Sequence, residues 1–169
     1  MDPKAYRKAV ALLAESEFID IFGVENSLTP AMDLFTKLGY LGLTCRLNTD
    51  AYLQQIGAGH LPHGAVAVAF SHSGSSADTV KALRLAKSHG AKTIAITNAI
   101  GAPLASWADV TLLTGRDSHT IYGNAIFSRV ADTALVDMLY MGVILSGYGR
   151  FSTALDESGR MIRDRVFEN

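Results

Sequence analysis

The chain has 169 residues, 49% of them hydrophobic, with a mean hydropathy of +0.19, enough apolar material for one well-packed domain. Fifteen Lys and Arg against sixteen Asp and Glu leave a formal net charge of −1, which argues against a stand-alone nucleic-acid binder, since such a protein carries a basic surplus. The single cysteine, Cys45, excludes an internal disulfide framework and fits a reducing compartment. No apolar run reaches the length of a membrane span, and the N-terminus lacks a basic-then-apolar signal pattern. A cytoplasmic protein without membrane association is therefore expected. The high apolar fraction further points to a buried subunit interface.

In chain order, Lys4 to Ala14 reads as an amphipathic helix and Phe18 to Phe22 as a strand closed by Gly23. Ala31 to Leu38 is helical and stops at Gly39; Leu43 to Leu47 is a second strand. A short helix spans Asp50 to Ile56, capped by Asn48 or Thr49. Ala65 to Phe70 is a buried parallel strand, followed by a helix from Ala77 to Lys87 that ends at Gly90. Lys92 to Thr97 is a fourth strand, Pro103 to Trp107 a helical turn, and Asp109 to Leu113 a fifth strand. One long apolar helix runs from Ile121 to Leu145 and another from Ser152 to Val166. This β-α alternation predicts a parallel, right-handed, doubly wound sheet in one domain covering residues 1–169.

The most informative stretch is Ser71-His72-Ser73-Gly74-Ser75-Ser76, between a strand and a helix start. Such a turn presents unpaired backbone N–H groups, a positive dipole end and several hydroxyls at one point, which suits a phosphate or another small anion. Alternatively, Ser75 or Ser76 is only a helix cap, with Asp78 supporting the first turn. Ligands of open α/β sheets bind beyond the carboxyl ends of strands near the switch point. The loop Phe22-Gly23-Val24-Glu25-Asn26-Ser27 ends the first strand, so Ser27 supplies either a second hydroxyl to the same pocket or another cap. Thr97-Asn98 ends the fourth strand, where crevice-facing and turn-making roles both remain open.

Those two loops, with Ala86-Lys87-Ser88-His89-Gly90-Ala91, Ile94-Ala95-Ile96-Thr97-Asn98 and Pro103-Leu104-Ala105-Ser106-Trp107-Ala108-Asp109-Val110, occur in the order and spacing of one family. The chain resembles a SIS (sugar isomerase) domain, the phosphosugar-binding α/β module. The resemblance implies a three-layer sandwich around a five-stranded parallel sheet, and a homodimer or homotetramer. It also implies that Ser71, Ser73 and Ser76 bind the phosphate with the N–H groups of Gly74 and Ser75, and that Ser27 is the first-loop serine. The family's first loop commonly reads Gly-x-Gly-x-Ser; here Glu25 replaces the second glycine. A carboxylate repels phosphate, so Glu25 either turns away or contacts sugar hydroxyls, with Asn26 beside it.

Two functional classes compete within the resemblance. One is the sugar-phosphate aldose–ketose isomerase, which needs a positioned base. The other is the ligand-sensing, oligomerising effector domain of RpiR-type transcriptional regulators, whose DNA contacts belong to a separate helix-turn-helix. The segment before Phe18 is too short for such a motif, so DNA is expected only through a domain absent from this chain. No Glu occurs between Glu25 and Glu157, and Ser128-Arg129-Val130-Ala131-Asp132 resembles the regulator pattern. The regulator reading is therefore expected, with no catalytic residue and no cofactor. His72 and His119 are possible ligand contacts as imidazoles able to exchange protons. Arg116 and Ser118, after the fifth strand, are possible contacts to the sugar or its phosphate. His60 and His63 lack nearby carboxylates or thiols, so no metal site is expected. The first loop also lacks the Gly-x-Gly-x-x-Gly turn of a dinucleotide site.

Overall fold

A computed structural model describes residues 2–115 and 129–163. Six helices, α1 (Pro3–Glu15), α2 (Leu28–Tyr40), α3 (Ala51–Ala58), α4 (Ala77–Ser88), α5 (Val130–Ser146) and α6 (Tyr148–Met161), accompany five strands. The strands are β1 (Ile19–Phe22), β2 (Cys45–Leu47), β3 (Val66–Phe70), β4 (Lys92–Thr97) and β5 (Val110–Leu113). All pairings are parallel, in the order β2-β1-β3-β4-β5. The doubly wound, three-layer α/β sandwich expected from the sequence is the observed fold.

Strand alternation decides what covers each face. Ile19, Ile21, Val66, Val68, Phe70, Ile94 and Ile96 point to one side, where they meet α1, α2, α5 and Phe151 of α6. On the other side Phe22, Ala65, Ala67, Ala69 and Ala95 meet Ala58, Ala82, Leu83, Ala86 and Leu104. In register, Ile21 lies beside Val68 and Val68 beside Ile94, so branched side chains form one continuous layer. The alanine face leaves room for α4 to approach closely, and removing a methylene from either layer is felt because such interiors are packed to crystal density.

The alanine-side layer also buries charge. Asp20, 1% exposed, receives Arg46 Nε at 3.0 Å and Nη2 at 2.6 Å from the adjacent strand. Burial pushes the Asp20 carboxyl up from its ordinary value, and Arg46 partly offsets that. The Arg46 guanidinium packs over Phe18 with 5.2 Å to the ring centroid.

Several boundaries differ from expectation. Asp50, not Asn48 or Thr49, caps α3, accepting from Leu53 N at 2.9 Å, because its side chain stands at the N-cap three residues before that donor. Helix α2 starts at Leu28 and runs through Gly39 to Tyr40, since packing of Ala31, Leu34 and Leu38 outweighs one glycine. The long helix begins at Val130 with Arg129 at its N-cap rather than continuing unbroken from Ile121; residues 121–128 lie outside the described residues. Helix α6 starts at Tyr148, four residues early, after a 116° bend at Gly147. A Cβ at Gly147 would meet the Phe151 ring at 3.1 Å, so glycine lets Phe151 pack closely against the bend. Among the described residues, no single helix is long and apolar enough to cross a membrane.

At the edge away from the strand carboxyl ends, Asp109 ties β4 to α4. Its carboxylate accepts from Thr93 N at 2.9 Å and Thr93 Oγ1 at 3.1 Å, and pairs with the Lys87 ammonium. Burial raises its pKa, but the Lys87 and Thr93 donors outweigh this and hold the carboxyl below its ordinary value. A depressed folded pKa adds stability that is present above the unfolded value, about 3.9, and is lost as pH falls through the folded value. Thermal melts of Asp109→Asn against pH are accordingly expected to show a shallower decline below about pH 4 than wild type.

Candidate functional site

Strands β1 and β3 are neighbours, yet the chain leaves them in opposite directions: β1 leads to β2 on one flank, and β3 to β4 and β5 on the other. Their carboxyl ends therefore flank a crevice that neither following helix covers. A cavity of about 200 Å³ lies there, lined by Val24, Glu25, Asn26, Ser27, His72, Ser73, Ser76 and Arg129. It falls below the roughly 300–1,000 Å³ of drug-sized pockets and fits a small polar molecule.

Ser27 stands at the N-cap of α2 and Ser76 at the N-cap of α4, and neither side chain makes a capping hydrogen bond. Both hydroxyls thus remain available where two helix dipoles present their positive ends. Ser73 Oγ accepts from Ser75 N at 3.3 Å, leaving its own proton to donate. The six-residue turn is closed by Gly74 N donating to Ser71 O at 2.9 Å. Ser71 is 1% exposed; its buried Oγ has no hydrogen-bond partner among the described residues. The structure therefore brings Ser27, Ser73, Ser76, Glu25, Asn26 and His72 together around one cavity. Ser71, Gly74 and Ser75 build the turn behind it. Arg116, Ser118 and His119 lie outside the described residues.

His72 is held from behind. Its carbonyl accepts from Asn98 N at 3.0 Å and Thr97 Oγ1 at 3.1 Å, and the Asn98 amide lies 3.4 Å from His72 Nε2. Thr97 and Asn98 thereby act through the turn. Burial lowers the His72 pKa, the Arg129 guanidinium lowers it further, and Asp132 opposes both. The shift favours the uncharged imidazole, a donor and acceptor, over the cation.

Two contributors were not expected at the site from the sequence. Arg129, noted there only within the Ser128–Asp132 resemblance, reaches the cavity with buried Nε and Nη1 that have no hydrogen-bond partner among the described residues. Asp132 Oδ2 lies 4.0 Å from Arg129 Nη1. The only clue to Arg129 in the sequence was its place in the Ser128-Arg129-Val130-Ala131-Asp132 resemblance, and its N-cap position emerges only in the structure. Gln54, 1% exposed, grips the first loop: Gly23 N donates to Oε1 at 3.2 Å, while Nε2 donates to Gly23 O at 2.7 Å and Asn48 O at 2.8 Å. No local pattern marks a glutamine as such a clamp.

These features define a doubly wound α/β domain with an anion-receptive, hydroxyl-rich crevice at its switch point. The SIS domain model matches residues 12–142, and the chain belongs to the SIS domain family. It is 31% identical over 162 residues to an uncharacterised HTH-type transcriptional regulator of Caldanaerobacter subterraneus, covering 96% of this chain and 57% of that protein. It is 26% identical over 143 residues to the HTH-type transcriptional regulator RpiR of Escherichia coli K12, covering 85% and 48%. The chain thus spans about half the length of these curated relatives. Among solved structures, the Vibrio vulnificus NanR protein complexed with ManNAc-6P superposes with a TM-score of 0.91 at 25% identity, covering 99% of this chain and 63% of that one. The sugar isomerase domain of an RpiR transcription factor from Sphaerobacter thermophilus gives 0.83 at 24% identity, over 94% and 87%, a likeness of fold.

Two substitutions probe the scaffold of the site. A Cβ on Gly74, whose φ is +63°, would sit 2.3 Å from Ala102 Cβ and 2.8 Å from Thr97 Oγ1. Gly74→Ala is expected to lower stability by about 2–4 kcal/mol in urea unfolding. Gln54→Leu strands the buried Gly23 donor and acceptor and is expected to cost at least about 2 kcal/mol in the same assay.

Proposed function

We propose that this chain is the phosphosugar-sensing module of an RpiR-type transcriptional regulator, binding a sugar phosphate without a cofactor. The observation that carries the reading is the meeting of two helix-start serines without capping bonds, Ser27 and Ser76, with Ser73 and the Arg129 guanidinium, whose Nε and Nη1 lack a hydrogen-bond partner among the described residues, in one cavity. A phosphate placed there receives hydroxyl donors, helix N-termini and a guanidinium together. The names and lengths of the relatives support a regulator in which a separate helix-turn-helix contacts DNA. Ser71, Gly74 and Ser75 then serve by shaping the turn, and Arg116, Ser118 and His119 are further candidate contacts.

Signal leaves the site through α5. Arg129 stands at its N-cap and borders both the cavity and the outer face of the helix. That outer face exposes Val130, Met138, Met141 and Leu145, although the opposite face is buried in the core. A helix apolar on both sides needs cover on both, and we assign the outer side to a second copy of this chain. A ligand that engages Arg129 then changes how α5 presents that face to its mate, the differential contact that linkage requires.

A thermal-shift panel of hexose, pentose, heptose and amino-sugar phosphates, with free sugars and inorganic phosphate as controls, tests the reading. A ligand at about 100 times its Kd adds roughly 2.7 kcal/mol of apparent stability. One sugar phosphate is expected to raise Tm where its free sugar does not, and to be recovered unchanged. Ser73→Ala with Ser76→Ala, or Arg129→Ala alone, is expected to weaken that binding at least about 10-fold, as losing charge-assisted hydrogen bonds does. A flat panel overturns the phosphosugar assignment, and conversion of the ligand overturns the sensor in favour of an isomerase.

A further inference from the structure

Glu25 stands in the first loop at the place where glycine is the expected residue, and its backbone has φ +51°. It is the only non-glycine residue with a positive φ among the described residues. An L residue enters that left-handed region at a cost that glycine escapes, and such costs persist where the surroundings over-determine them, often at ligand sites. The loop is over-determined: Gln54 grips Gly23 on one side, and Ser27 N donates to Val24 O at 3.0 Å on the other. Among the described residues, nothing within the fold uses the side chain so displayed. Glu25 is exposed; its carboxylate has no hydrogen-bond or ion-pair partner among the described residues, and the residue lines the cavity with Ser27, Ser73, Ser76 and Arg129.

We propose that Glu25 is the residue that selects the ligand, by accepting hydrogen bonds from the end of the sugar remote from its phosphate. This rests on the phosphosugar reading. The cavity lining carries groups of both signs. Ser73, the start of α4 and the Arg129 guanidinium attract an anion, whereas Glu25 repels one. A phosphate held chiefly by Ser73, Ser76 and Arg129 turns from Glu25 and meets Ser27 only at its edge, and the rest of the molecule brings donors to the carboxylate. Hydroxyls or an ammonium group satisfy it; a second phosphate or a carboxylate does not. The ligand class that follows is a sugar monophosphate with a donor-bearing far end, with sugar bisphosphates and phosphorylated sugar acids rejected. Left-handed geometry at Glu25 is what the chain accepts in exchange for that discrimination.

Calorimetric titration and thermal melts of wild type, Glu25→Gly and Glu25→Gln test this. The probes are the tightest sugar monophosphate of the panel above, its phosphorylated aldonic acid counterpart and inorganic phosphate. Glu25→Gly is expected to raise Tm by about 2–4 °C by removing the strained backbone, yet to bind the sugar monophosphate roughly 10- to 150-fold more weakly. Inorganic phosphate is expected to bind it at least as well as wild type. Glu25→Gln keeps the backbone and loses only the charge, so the preference for the sugar monophosphate over the sugar acid is expected to shrink at least about tenfold. If wild type binds these phosphates and both variants match its affinities and its preference, the assignment of Glu25 fails while the phosphosugar reading stands. If wild type binds none of the phosphates, that reading fails and takes this one with it.

Discussion

Adjacent placement of β1 and β3, with their onward connections running to opposite flanks, is the constraint on which the rest depends. Parallel strands need long crossovers, and two that diverge from one point leave their carboxyl ends uncovered. Each end here runs at once into a helix start, Ser27 before α2 and Ser76 before α4. Two positive dipole ends therefore flank one crevice. The anion site proposed for this crevice therefore starts from backbone, to which the serine hydroxyls and the Arg129 guanidinium add donors.

Keeping those two ends rigid falls to groups outside the cavity lining. Gln54 spans from α3 to both polar atoms of Gly23, and Thr97 with Asn98 fixes the His72 carbonyl from the next strand. Gly74 lets the second loop press against Ala102 and Thr97 where a side chain has no room. Buried amide clamps of this kind are effective because leaving their partners unpaired costs the desolvation of each group. Rigidity at the loop bases is also what sustains a left-handed Glu25.

Helix α5 links this site to the surroundings. It is apolar on both faces, buried against α1 and α2 on one and exposing Met138, Met141 and Leu145 on the other. Lys37 of α2 bonds Asp137 at 2.5 Å and Asp33 at 2.7 Å, fixing the helix laterally while Arg129 at its start faces the cavity. A change at the guanidinium acts on a packed element with few alternative positions, the condition under which small shifts are passed on rather than absorbed.

Local pattern determined much of this protein. Alternating Val and Ala in 65–70, the serine turn, and the β-α rhythm announce the sheet, its layers and the anion-receptive loop, because these depend on periodicity and on which residues tolerate a turn. Boundaries at α2, α3 and α6 differ from the local pattern because core packing and the bend at Gly147 override local propensity. Only the tertiary structure decided which serines face the cavity: of the turn's four, Ser73 and Ser76 do, while Ser71 is buried. It also brought in Arg129 from about a hundred residues beyond Ser27 and set Gln54 behind the loop, since neither residue carries a local signal of where its side chain ends. Hydrogen-bonding type is written in each residue, but convergence on one point is a property of the sheet's winding.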